Sequence, residues 1–152
     1  MKRNSRGYTV NVADNRIITD EDRVHQQVVK WLQLVHKDVM FHSDAAGELM
    51  TESMRIRQSK VNMPGISFPD LQILEARGGY FGMLVEIKRE DETIFNGAGM
   101  FKNDHLKRQG LTLMMLKDRN YKAIFSKGLD NIIREIGLYL AMPPTKFKKH
   151  KL

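Results

Sequence analysis

The chain has 152 residues, a length that suits one domain with one core, and its 41% apolar and 28% charged residues are ordinary for a globular protein. It has no cysteine, so disulfides and thiolate metal sites are excluded, and any metal must be held by carboxylates, histidine or backbone oxygens. A net charge of +7 attracts polyanions, although the same charge also fits a basic surface that binds no nucleic acid.

Residues 1–16 show no period and read as a flexible arm. The polar, basic start from Met1 to Gly7 is unlike a secretory segment. No apolar run approaches the ~18 residues of a membrane helix, so a cytoplasmic protein is expected. A helix starts near Thr19, which can cap it, with Asp22 at the third helical position as in a capping box. Val24, Val28, Trp31, Leu32 and Val35 follow at helical spacing and form one buried stripe. Residues 38–42 (DVMFH) read as a short strand, and 46–60 as a short helix and loop carrying Arg55, Arg57 and Lys60.

Residues 62–65, with Pro64-Gly65, are a turn signal. Two strands follow, 70–76 and 80–89, joined at Gly78-Gly79, which suits the positive φ values of a hairpin turn. A polar loop covers 90–99, a second helix 103–119, a strand 121–126 and a last helix 130–141, stopped by Pro143-Pro144. The spans are an arm (1–16), one domain (17–142) and a basic tail (143–152). Local antiparallel pairing with a helical crossover predicts an α/β fold: a mixed central sheet flanked by helices.

The chemistry centres on the two strands. Glu86 and Lys88 lie two apart and share a strand face, with Val85 and Ile87 on the other. Asp70 follows Pro69 at the start of the preceding strand and can reach Glu86 across a hairpin. Two converging carboxylates bind a hard cation such as Mg²⁺ or Mn²⁺, which offsets their repulsion. A lysine beside them can steer the attacking water or steady charge developing on a phosphate. The competing reading is a solvated strand face with a cross-strand charge pair. Glu21 lies on the apolar stripe of the first helix and either points towards the sheet or is a helix N-terminal acid favoured by the macrodipole. Gln109 faces inward between Leu106 and Leu113, as a structural amide or as a contact to the lysine, a water or a phosphate. His42 is read as either a phosphate contact or a strand-end packing residue. Lys102, Lys107 and Arg108 are candidates for the DNA backbone or simply a solvated helix face.

Pro64-Gly65, Phe68-Pro69-Asp70-Leu71, Leu84-Val85-Glu86-Ile87-Lys88, Leu106-Lys107-Arg108-Gln109 and Tyr121-Lys122-Ala123 resemble the PD-(D/E)xK nuclease superfamily. More narrowly, their order and spacing resemble VRR-NUC, the virus-type replication-repair nuclease family. The chain departs from that pattern at Ile66, Ser67 and Phe68, which separate Gly65 from Pro69, and at Asn120, where glycine is common. Asparagine tolerates the left-handed conformation, so the second change is mild.

The resemblance implies a restriction-endonuclease-like αβββαβ core and Mg²⁺ or Mn²⁺ as cofactor, without a nucleotide cofactor. It assigns Asp70, Glu86 and the Ile87 carbonyl to the metal, Lys88 to catalysis, Glu21 to an auxiliary acid and Gln109 to the family glutamine. Stand-alone members of this size, often from phage or bacteria, are similar to dimeric enzymes that cut four-way DNA junctions. A bacterial or phage-infected cytoplasm, branched DNA and a homodimer are therefore expected. The alternatives are a flap or nicking nuclease on other branched or single-stranded DNA, and a non-catalytic nucleic-acid-binding module with a nuclease fold.

Overall fold

A computed structural model of the chain describes residues 20–44 and 51–147, together with the backbone of three short strands near the start. These strands are β1 (Lys2–Arg3), β2 (Thr9–Asn11) and β3 (Arg16–Ile18), paired antiparallel in that order. The arm expected over 1–16 therefore carries paired strands. Strands of two and three residues are too short to display a period of two. The expected cap at Thr19 lies outside the described residues.

Helix α1 (Asp20–Val35) places acids in its first turn, where the macrodipole favours them, and buries Val28 and Leu32. Strand β4 (Phe41–Ser43) begins later than the sequence suggested, because residues 36–39 make a turn closed by the Val39 amide on the His36 carbonyl. Helix α2 (Glu52–Val61) is capped by Thr51, and none of its residues is buried. Strands β5 (Leu71–Ile73) and β6 (Met83–Lys88) pair antiparallel as expected, but both are shorter than the spans 70–76 and 80–89, and residues 74–82 connect them. The turn in this connection has φ of +59° at Gly78 and +89° at Gly79, with the Tyr80 amide bonded to the Arg77 carbonyl at 2.9 Å. Two successive positive φ angles are what glycine permits at no steric cost.

Helix α3 (Asp104–Lys117) starts at Asn103, whose side chain accepts from the Leu106 amide. It carries the chain over to β7 (Lys122–Lys127), which runs parallel to β6, as a parallel pair requires. Asn120 makes the turn between them with φ of +65°, the left-handed conformation that asparagine tolerates. Helix α4 (Leu129–Leu140) closes the core.

The main sheet has the order β4-β5-β6-β7, with β4, β5 and β6 antiparallel and β6 parallel to β7. One face presents Leu71, Ile73, Met83, Val85 and Ile87 to Val28 and Leu32 of α1 and to Ile132, Ile136 and Tyr139 of α4. Leu84 and Ala123 pack against Leu113 of α3 in a second, smaller cluster. β6 is buried along its whole length, so its two faces serve different purposes: one is core, the other places Glu86 and Lys88. After α4 the chain does not trail away at 143. The Gly78 amide bonds to Pro143, the Thr145 amide to Ala76, and Phe147 stacks on Phe81 at 6.0 Å. Residues 148–152 of the expected basic tail lie outside the described residues.

Candidate active site

The strand register decides what meets what. Leu71 pairs with Val85 and Ser43 with Leu71, so one step further Asp44, Asp70 and Glu86 form a row across three strands. The Asp44 amide bonds to the Asp70 carbonyl at 3.0 Å, which fixes that step. Asp70 is anchored in turn: its Oδ2 accepts the Ile87 amide at 2.8 Å, pinning the carboxylate over β6.

Glu86 is 2% exposed and Lys88 4% exposed, both unusual for ionisable side chains unless paired. They are paired. Lys88 Nζ lies 3.4 Å from Glu86 Oε1 and 3.2 Å from Glu21 Oε1, so the α1 acid reaches the strand lysine. Gln109, from the buried side of α3, donates through Nε2 to the same Glu86 oxygen. Its own Oε1 is buried and has no hydrogen-bond partner among the described residues. Asp70, Glu86, Lys88, Glu21 and Gln109, drawn from α1, the start of β5, β6 and α3, therefore meet at one place.

Burial raises the Glu86 carboxyl most, the neighbouring Asp70 charge adds to this, and Lys88 opposes it; the group is pushed up to about 8. Burial opposes the charge on Lys88, but Glu21 and Glu86 outweigh it and hold the ammonium above the usual lysine range. At neutral pH Lys88 is thus a fixed cation and cannot take a proton. Glu21 is also raised, by burial, against the attraction of Lys88.

Some neighbours were given no role from the sequence. Asp44 extends the acid row, and burial raises its carboxyl. His25, one turn after Glu21, is buried and hydrogen-bonded through Nε2 to Ser43, the residue before Asp44. Burial lowers its pKa against the pull of Asp70, Asp22 and Asp44, so it stands neutral. His105, at the start of α3, is lowered by partial burial and by Lys88 and Arg108. An acid beside Phe41-His42-Ser43 gains meaning only once β4 and β5 are paired, and single-sequence reading does not supply that register.

The basic candidates lie around this centre, not in it. His42 is exposed on β4, opposite Gln72. Arg55, Arg57 and Lys60 sit on the exposed helix α2, Lys102 just before α3, and Lys107 and Arg108 on its outward side.

The donor set suits a hard divalent cation. Asp70 and Glu86 offer carboxylate oxygens with the chemistry Mg²⁺ prefers, and their mutual repulsion is what a cation would relieve. The unpaired Gln109 Oε1 adds a buried acceptor beside Glu86. Among the described residues no group of three or more histidine, aspartate or glutamate side chains is placed to hold a metal ion. A cation here would thus rely on waters or substrate oxygens for its remaining positions, the usual arrangement for Mg²⁺.

Apart from α2, which lies between β4 and β5, and α4 at the end, the elements run α1-β4-β5-β6-α3-β7, the αβββαβ core of a restriction-endonuclease-like fold. A solved structure described as a VRR_NUC domain protein shares it, with a TM-score of 0.58 and 24% identity over 82% of this chain and 90% of its own. That description is the family whose motifs the sequence resembles, and the likeness shows a common fold. No protein-family model and no curated protein matches the chain. Among the described residues no helix is long and apolar enough to cross a membrane.

Proposed function

We propose that this protein is a metal-dependent endonuclease that cuts the phosphodiester backbone of branched DNA, with four-way junctions as its principal substrate and a homodimer as its working form. The observation that carries the reading is the convergence of Asp70 and Glu86 beside the buried ammonium of Lys88. Acids placed towards a polyanion repel it unless a cation intervenes, so a module that only bound DNA would gain nothing from this pair. The shared fold with a VRR_NUC domain protein supports the same reading.

Asp70, Glu86 and the Ile87 carbonyl would hold Mg²⁺ or Mn²⁺, which when bound supplies Lewis-acid stabilisation of the phosphoryl oxygens. The chain's own residues do the rest. Lys88 places a positive charge where negative charge grows on the phosphate, or orients the attacking water. Glu21 holds that ammonium in place from α1, and Gln109 holds the Glu86 carboxylate from α3. Lys102, Lys107, Arg108, His42 and the basic residues of α2 contribute attraction to the DNA backbone. The dimer is what the family resemblance implies, and size accords with it: one small domain covers only part of a branched substrate, and a two-fold pair could cut two opposed strands of a two-fold junction.

The test is incubation of labelled junction, flap and duplex DNA with Mg²⁺ or Mn²⁺. Asp70→Ala and Glu86→Ala should abolish cleavage while DNA binding is kept, since removing negative charge does not weaken attraction to phosphate. Strong metal-dependent cleavage by either variant would remove the site from consideration. Flap or nicking activity is the second reading, and the groove described next favours it.

A further inference from the structure

Beside the acid row lies a groove of about 680 Å³, the size of a small-ligand site. Arg55, Gln58 and Asn62 of α2 line one part, Phe68 and Gln72 another, and Asp44, the end of the Asp70–Glu86 row, belongs to the lining as well. Phe68 is 47% exposed. The backbone beside it is tied to α3 by a hydrogen bond from the Ser67 amide to Thr112 Oγ1 at 3.1 Å. These are the three residues, Ile66, Ser67 and Phe68, by which the sequence departs from the family pattern.

We propose that this groove receives an unpaired nucleotide adjoining the scissile phosphate; the proposal rests on the nuclease reading and favours its flap or single-stranded form over the four-way junction. Three side-chain amides can hydrogen-bond base edges, a guanidinium can meet a phosphate, and an exposed aromatic ring can stack a base. Stacking needs a base freed from its helix, so an intact duplex does not reach Phe68 in this way. Amides and a guanidinium fit the apolar face of a second copy poorly, and the net charge of +7 favours an anionic occupant. Asp44 sets the direction: its carboxylate repels phosphate, so the backbone crosses to Asp70 and Glu86 only where a cation screens the row.

The test measures binding without cleavage. Fluorescence anisotropy in EDTA compares a labelled short oligothymidylate with a blunt duplex of equal length. Phe68→Ala should lose about tenfold in affinity for the single strand, and under about twofold for the duplex. Phe68→Trp should restore the single-strand affinity, which a merely structural role would not predict. Circular dichroism of Phe68→Ala should match the unmodified protein. No single-strand binding by the unmodified protein, or equal loss on both DNAs, would overturn the proposal. So would loss of self-association by Phe68→Ala in sedimentation, since the groove would then belong to a second copy. Because the readout is metal-free, it can fail while Asp70-dependent cleavage stands, and the reverse.

Discussion

Replacing Lys88 by methionine keeps the apolar stem and removes only the charge. That charge sits 3.2 Å from Glu21 Oε1 and 3.4 Å from Glu86 Oε1, at 4% exposure. At an effective dielectric near 20 an ionised pair at this distance corresponds to about 5 kcal/mol of attraction; Glu86 contributes it only when ionised, solvent screening reduces it for the partly exposed Glu21, and the desolvation of lysine is set against both. Without it Glu86, already raised to about 8, should hold its proton to still higher pH. The variant should therefore fold near neutral pH with Glu86 protonated, and lose stability as the pH rises. Its catalytic loss is a separate quantity. A single electrostatic stabiliser acting in the transition state is worth roughly 10²–10³ in rate, about 3–4 kcal/mol. A pH–rate profile of single-turnover cleavage of a labelled junction, at saturating Mg²⁺, separates the two effects, because a higher Glu86 pKa moves the acid limb whereas lost stabilisation lowers the plateau. Lys88→Arg should rescue poorly, since a planar fork does not replace a point charge. If Lys88→Met lowers the melting temperature but cleaves within about threefold of the unmodified protein, a barrier change under ~1 kcal/mol, the lysine is structural and the catalytic assignment fails.

The raised Glu86 pKa gives a stability prediction whose sign is fixed. The unfolded carboxyl ionises near 4.5 and the folded one near 8, so the contribution is fully present below 4.5 and is lost as the pH rises through 8. Melting of the metal-free protein should show this slope and Glu86→Gln should lack it; identical pH profiles would mean that the carboxyl is not perturbed. Mg²⁺ added at pH 7 in weak buffer should release protons from the unmodified protein and not from Glu86→Gln. Gln109→Leu should weaken metal affinity or cleavage by roughly 10–100-fold, the usual effect of losing a residue that orients a ligand, and wild-type values for both would assign Gln109 to packing. Tyr139→Phe removes a hydrogen bond from its hydroxyl to the Glu75 carbonyl at 2.5 Å and should cost ~0.5–1.5 kcal/mol in denaturant unfolding. Sedimentation at micromolar concentration should show a homodimer; monomer alone, with and without DNA, would remove the two-cut argument.

The strand period was enough to put Glu86 and Lys88 on one face, and the helical period to turn Gln109 inward, because both signals repeat within a few residues, whereas Glu21 stayed open between the sheet and a helix-end role until its contact with Lys88 was seen. Gly78-Gly79 located the hairpin for the same local reason. Asp44 and His25 were not legible. Their meaning depends on pairing β4 with β5 across 27 intervening residues that include α2, and no local pattern encodes that register. The strands β1, β2 and β3 were missed because they are too short to alternate, and the packing of residues 143–147 because Thr145 contributes through hydrogen bonds and not through an apolar stripe.

The order in which these pieces leave the ribosome matters for the central strand. β6 carries Met83 to Lys88, gains β5 immediately through the hairpin, and acquires its other neighbour only when β7 is made, about 40 residues later. Until then one edge of a largely apolar strand has no partner, a template on which a second nascent chain could pair. The hairpin turn waits longer still, since the Gly78 and Gly79 amides donate to the Pro143 carbonyl and the Thr145 hydroxyl. Substitutions that slow the folding of α3 or β7 should therefore show first as aggregation during synthesis, with little loss of activity in whatever protein remains soluble.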